Sequence, residues 1–206
     1  CEQAWWTQEK GALRVHTVTK DETIFGRKLT LQRTIKVSTE ENVFEICDTI
    51  TNTGDRVEPM ELLYHMNMGY PLLDEDSIVK IPSAQVIPYN EHAAEDIANW
   101  MHMEKPSAGC EERCYMHKFA DENGYASIFQ PKLNIGLSIN FNAKELDGFV
   151  EWKSMGIRDY ALGLECGNCY PGGRDVMRRT GMLKFMQPGE IKEFHVKISM
   201  MEEESK

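Results

Sequence analysis

From Met60 to Leu73 the chain reads Met-Glu-Leu-Leu-Tyr-His-Met-Asn-Met-Gly-Tyr-Pro-Leu-Leu, and its polarity repeats every second residue. Met60, Leu62, Tyr64, Met66 and Met68 fall on one side, Glu61, Leu63, His65 and Asn67 on the other. Only an extended strand sends successive side chains to opposite faces. One face is therefore greasy enough to enter a core. The other carries an imidazole and a carboxamide side by side. Gly69 and Pro71 then end the run. A lone histidine in such a strand is as readily a satisfied structural group as a functional one, so its meaning depends on a partner elsewhere in the chain.

The same alternation recurs along the sequence. Ala12 to Val18, Leu29 to Val37 and Val43 to Thr51 read as strands joined by short polar turns, the pattern of an antiparallel meander. Further strands are expected at Ile78–Ile81, Cys114–Phe119, Tyr125–Phe129, Asn134–Phe141, Phe149–Ser154, Tyr160–Cys166, Gly181–Phe185 and Phe194–Met200. Ala93 to Met103 is the one helical stretch, with Ala93, Ile97, Trp100 and Met101 on one face. The acidic tail from Glu202 to Lys206 should be solvated. Many short strands, one short helix, no repeat and no linker predict an all-β single domain over residues 1–206, a sandwich of two large sheets.

With a net charge of -10, non-specific binding to nucleic acid or to an anionic membrane is disfavoured. No apolar run reaches the roughly 20 residues that span a bilayer, and the chain opens on no signal segment, so a cytoplasmic protein is expected. The six cysteines include Cys110-x3-Cys114 and Cys166-x2-Cys169. Four thiolates can close a zinc site, but the first spacing is loose, and reduced, unligated thiols with no metal or cofactor are the expectation.

A partner for the histidine is found in Tyr160-Ala161-Leu162-Gly163-Leu164-Glu165-Cys166. The even positions are apolar or soft. The odd ones are Ala161, Gly163 and Glu165, a carboxylate beside two tiny side chains with open space above it. A glutamate near a strand end is otherwise an ordinary solvated group.

These blocks carry a resemblance. Tyr64 through Leu73, Glu151-Trp152-Lys153, and Gly163-Leu164-Glu165 with Gly167-Asn168 resemble the signature blocks of the aldose 1-epimerase-like proteins of the DUF4432 group, in the galactose mutarotase-like superfamily. Phe25-Gly26, Leu29 to Arg33, Asp48 to Gly54 and Leu183 to Glu190 fit in the same order, so the resemblance covers nearly the whole chain. It implies a β-supersandwich in which a histidine is the general acid and a late-strand glutamate the general base, here His65 and Glu165. Asn67 lies near the family's asparagine, though the spacing is H-x-N. His117 matches a substrate-binding histidine, while Met116 stands where the family has an aspartate. Relatives carry a preceding segment that adds an arginine and a histidine to the sugar pocket. This chain begins just downstream of that segment, so the resemblance implies a fold lacking its N-terminal part.

Interconverting sugar anomers means taking the proton from the C1 hydroxyl, protonating the ring oxygen, rotating the freed aldehyde and closing the ring again. A carboxylate base and an imidazole acid, on opposite sides of the ring, suit this near neutral pH. Trp152 is either a stacking surface for the sugar or a core aromatic. Lys153 and Arg174 either bind hydroxyls or an acidic substituent, or are solvated. The expected ligand is a small-molecule sugar. A carbohydrate-binding sandwich without catalysis, or an isomerase or lyase acting on a keto sugar, uses the same groups and stays open.

Overall fold

The structure, a computed structural model, describes residues 1–202. Of the acidic tail, all but Glu202 lies outside them. Strand accounts for 53% of the chain and helix for 7%, so the fold is all-β. In chain order the strands are β1 (Gln3–Glu9), β2 (Ala12–Glu22), β3 (Lys28–Ser38), β4 (Val43–Asn52), β5 (Glu58–Pro59), β6 (Leu63–Met68), β7 (Ile78–Lys80) and β8 (Gln85–Pro88). Helix α1 (Glu91–Glu95) and a 3-10 turn (Ile97–Asn99) follow, then β9 (Arg113–Lys118), β10 (Asn123–Gln130), β11 (Ile135–Asn142), β12 (Gly148–Met155) and β13 (Tyr160–Gly167). Helix α2 (Arg174–Arg179), β14 (Phe185–Met186) and β15 (Ile191–Met201) end the chain.

The residues form two compact units, one of Cys1–Glu61 with Gly172–Ser199, the other of Leu62–Pro171 with the residues from Met200 on. In the first, β1, β2, β3, β4 and β15 pair antiparallel in that order. The β1–β2 hairpin turns on Lys10-Gly11, where Gly11 has a φ of 81°, a conformation that a side chain would strain. Asp48 is buried on β4 and accepts two hydrogen bonds from the guanidinium of Arg33 on β3, at 2.7 and 2.6 Å. That bidentate pair satisfies a carboxylate that would otherwise be costly to bury.

The second unit holds a five-stranded antiparallel sheet in the order β6-β13-β12-β9-β8. Facing it, β10 pairs with β11 on one side and β7 on the other. Apolar side chains from both layers close the core: Phe141 of β11 stacks on Phe149 of β12 at 5.6 Å, and Ile128, Ile139, Leu162 and Leu164 are fully buried. Met68 and Tyr64 of β6 join this core while His65 and Asn67 remain exposed, as the alternation of that strand requires.

Several elements differ from the sequence expectation, among them β5 (Glu58–Pro59) and β8 (Gln85–Pro88), which it did not mark as strands. Helix α1, capped by the Asn90 side chain accepting from the Ala93 N–H at 2.9 Å, runs only to Glu95. Beyond it the chain tightens into the 3-10 turn, and the carbonyls of Asn99, Trp100 and His102 accept from the buried Lys153 ammonium. Residues 174–179 are helical, and Gly181 is left-handed at a φ of 74°, so the later strand is confined to Phe185–Met186. Strand β1 was not expected, because all seven of its residues are exposed and no greasy face marks it.

Candidate active site

Register builds the site. β6 and β13 pair so that His65 stands opposite Glu165 and Asn67 opposite Gly163. β13 and β12 then place Val150 beside Glu165 and Trp152 beside Gly163, and β9 adds Cys114 opposite Trp152. Cross-strand neighbours point to the same side. His65, Asn67, Glu165, Val150, Trp152 and Cys114 therefore share the outer face of this sheet.

His65 Nε2 and Glu165 Oε1 are 3.0 Å apart. The imidazole is about half exposed and the carboxylate almost wholly covered, at 49% and 3% of their side-chain surfaces. At this contact the angles do not make a hydrogen bond, so the buried Oε1 has no donor. Burial pushes the Glu165 carboxyl above its ordinary value, and the charge of His65 pulls it back. Space for the carboxylate comes from Gly163: a Cβ there would run into Glu165 Oε1 and lie 3.2 Å from the Trp152 Cβ. The Trp152 ring meets His65 edge-on at 5.9 Å, and its indole N–H donates to Glu112 Oε2 at 2.7 Å. With Leu63, Tyr89 and Pro171 these groups wall a hollow of about 400 Å³. A roomier hollow of about 540 Å³ in the same unit, between Ile81, Pro82, Trp100 and Met101, has neither a carboxylate nor an imidazole in its wall.

His117 and Lys153 do not line the 400 Å³ hollow. Each is one residue out of step with the outer face, so each points into the core, where His117 is 0% and Lys153 1% exposed. His117 Nδ1 lies 3.0 Å from Ser83 Oγ, and its Nε2 lies 3.4 Å from Glu151 Oε2. Burial lowers the pKa of Lys153, whose ammonium is held by the three backbone carbonyls already named. The parity was readable beforehand, since Trp152 and Lys153 are adjacent on one strand and cannot both face a ligand. Arg174 belongs to the first unit, where its Nε donates to Glu61 Oε2 at 3.3 Å.

Of the wall residues that the sequence reading did not assign to the site, Glu112 and Cys114 are the instructive ones. Glu112 sits in the loop before β9 and is placed by its bond to an indole 40 positions away, which no local pattern reveals. Cys114 has the parity of the outer face, and burial pushes its thiol up to about 12, keeping it protonated. All six cysteines are free thiols, and among the described residues no three potential ligands gather into a metal site. Cys166 illustrates why, for it lies on the core face of β13 while Cys114 lies on the outer face of β9.

The all-β sandwich has the galactose mutarotase-like fold, as the solved structures it resembles show. Residues 1–200 match the family model described as "Domain of unknown function (DUF4432)", and the chain belongs to that family. Among solved structures, a protein of Klebsiella pneumoniae described as a "putative aldose 1-epimerase" shares 21% identity at a TM-score of 0.89, over 96% of this chain and 53% of that one. A galactose mutarotase-like protein of Clostridium acetobutylicum shares 14% at 0.69, over 95% and 64%. A galactose mutarotase related enzyme of Lactobacillus acidophilus shares 10% at 0.65, over 96% and 70%. This chain thus spans about half the length of the Klebsiella protein, and at these identities the likeness is one of fold. No curated protein matches it.

Proposed function

We propose that this protein interconverts the anomers of an aldose, with Glu165 as base and His65 as acid. The observation that carries this reading is a buried carboxylate without a hydrogen-bond donor, 3.0 Å from a half-exposed imidazole at the floor of an indole-walled hollow. The two groups stand side by side, not on opposite sides of a ring as the sequence reading had them. That arrangement still serves the reaction, because the C1 hydroxyl oxygen and the ring oxygen are both bonded to C1. Glu165 removes the hydroxyl proton while His65 delivers one to the ring oxygen. The ring opens, the aldehyde turns about its bond to C2, and the reverse transfers close it on the other face. No proton is gained or lost overall.

Supporting this reading, the raised proton affinity of Glu165 brings its pKa towards neutral pH, where a base is most effective. Trp152 offers an apolar surface to a sugar face, and Asn67, paired with Gly163, is the next residue along β6 on the same face as His65.

Polarimetry on D-glucose, D-galactose and other aldoses tests the proposal. Glu165→Gln and His65→Ala should each slow mutarotation by about 10²–10⁴-fold. The acid limb of the wild-type pH profile should lie above the ordinary glutamate range, since the base works only when deprotonated. Sugar binding without optical change would identify a non-catalytic binder. Turnover that survives both substitutions would remove these roles.

A further inference from the structure

The hollow's wall carries the ionisable groups His65, Glu165 and Glu112 in this one unit. His65 and Glu165 lie 3.0 Å apart, so a protonated imidazole there offsets an ionised carboxylate. Glu112 remains. Its Oε2 is anchored by the Trp152 indole at 2.7 Å, so the carboxylate is held at the rim instead of swinging into solvent. Lys153, next to Trp152 in sequence, supplies no compensating charge there, because it is turned into the core and held by backbone carbonyls. The donor-less Glu165 Oε1 at the floor adds a second acceptor aimed into the same space.

Resting on the anomer-interconversion reading, we propose that Glu112 is a specificity-determining residue: it fixes the Trp152 platform and gives the hollow a negative rim that admits neutral and ammonium-bearing sugars and rejects those carrying a carboxylate. Rejection follows from bringing a like charge to the fixed Glu112 carboxylate, which is a repulsive element, screened by salt, and not a missing contact.

The test is calorimetric titration at low ionic strength and pH 7. The probes are D-glucose, D-glucosamine and D-glucuronate, with their galacto counterparts. Wild type is compared with Glu112→Gln, whose amide oxygen still accepts from the indole, so that only the charge is removed. Glu112 is surface-exposed, and the substitution leaves the core untouched. In wild type the uronate should bind about tenfold or more weaker than the neutral sugar of the same configuration. In the variant that gap, read as the ratio of neutral-sugar to uronate affinity within each protein so that any shared change in binding cancels, should close by about tenfold. Raising salt should narrow the wild-type gap and leave the variant's unchanged. Equal affinity for neutral sugar and uronate in wild type overturns the inference and leaves the sugar reading standing. A gap that persists in Glu112→Gln also overturns it. If none of the six probes binds either protein, the sugar reading fails and this inference fails with it.

Discussion

At the scale of single residues, Gly163 matters as much as the groups that would move protons. It is the neighbour across which the Glu165 carboxylate lies, and its missing side chain is the room that carboxylate occupies. Gly163→Ala leaves a β-strand backbone that alanine adopts readily, so the cost is steric and local. Overpacking of this kind costs about 1–3 kcal/mol, and the flexible end of Glu165 is what yields. We expect kcat for mutarotation to fall about 10–100-fold, with the melting temperature shifting by only a few degrees. Unchanged kcat would mean that the position of the carboxylate is not what the reaction needs. The same scale explains why the Cys114 thiol stays protonated: burial first, and then the charges of Glu165, Glu112 and Glu151, discourage a thiolate.

At the scale of elements, strand β12 has a different task on each face. Trp152 faces the hollow, while Glu151 and Lys153 face inward. Lys153 ties the turn after α1 to the sheet through the carbonyls of Asn99, Trp100 and His102, the shortest contact being 2.6 Å. An ammonium that satisfies several carbonyls stabilises a segment with little regular structure of its own, and each such bond is worth about 1.5–3 kcal/mol when lost from a buried site. Replacing Lys153 with Met removes the donor and also the cost of burying its charge, so the net loss should be about 1–3 kcal/mol in urea unfolding. Hydrogen exchange should show protection lost across residues 97–102 and retained in β12 and β13. Loss of protection throughout the sheet would instead make Lys153 a general core residue.

At the scale of the whole molecule, buried ionisable groups set how stability depends on pH. Glu151 is fully buried beside His117, and burial raises its pKa from the ordinary 4.5. The folded state therefore holds that proton more tightly than the unfolded chain does. Its contribution is fully present below pH 4.5 and is lost as pH rises through the folded value. Glu165 acts in the same direction. Lys153, lowered by burial, acts in the opposite sense towards alkaline pH. The urea midpoint of wild type should fall between pH 5 and pH 8. Glu151→Gln, neutral throughout and of the same shape, should show a shallower fall, with Glu165 supplying what remains. An identical slope in the two proteins would show that Glu151 does not change its protonation in that window.

The sequence alone determined the kind of layer this chain can build and which residues share a face. Period-two alternation is a local property, and it located β2, β3, β4, β6 and the strands from β9 to β13 without any tertiary information. It also contained the parity that separates Trp152 from Lys153. What only the tertiary structure decided was pairing across long separations. His65 meets Glu165 because β6 lies beside β13 in one particular register, and a slip of one residue would turn one of them into the core. Glu112 reaches Trp152 by the path of a loop, which has no period to read. The helix expected from Ala93 stops at Glu95, and beyond it a lysine more than fifty positions away meets the carbonyls of Trp100 and His102, a contact that no local pattern announces. Local chemistry chose most of the elements; distant contacts chose their partners.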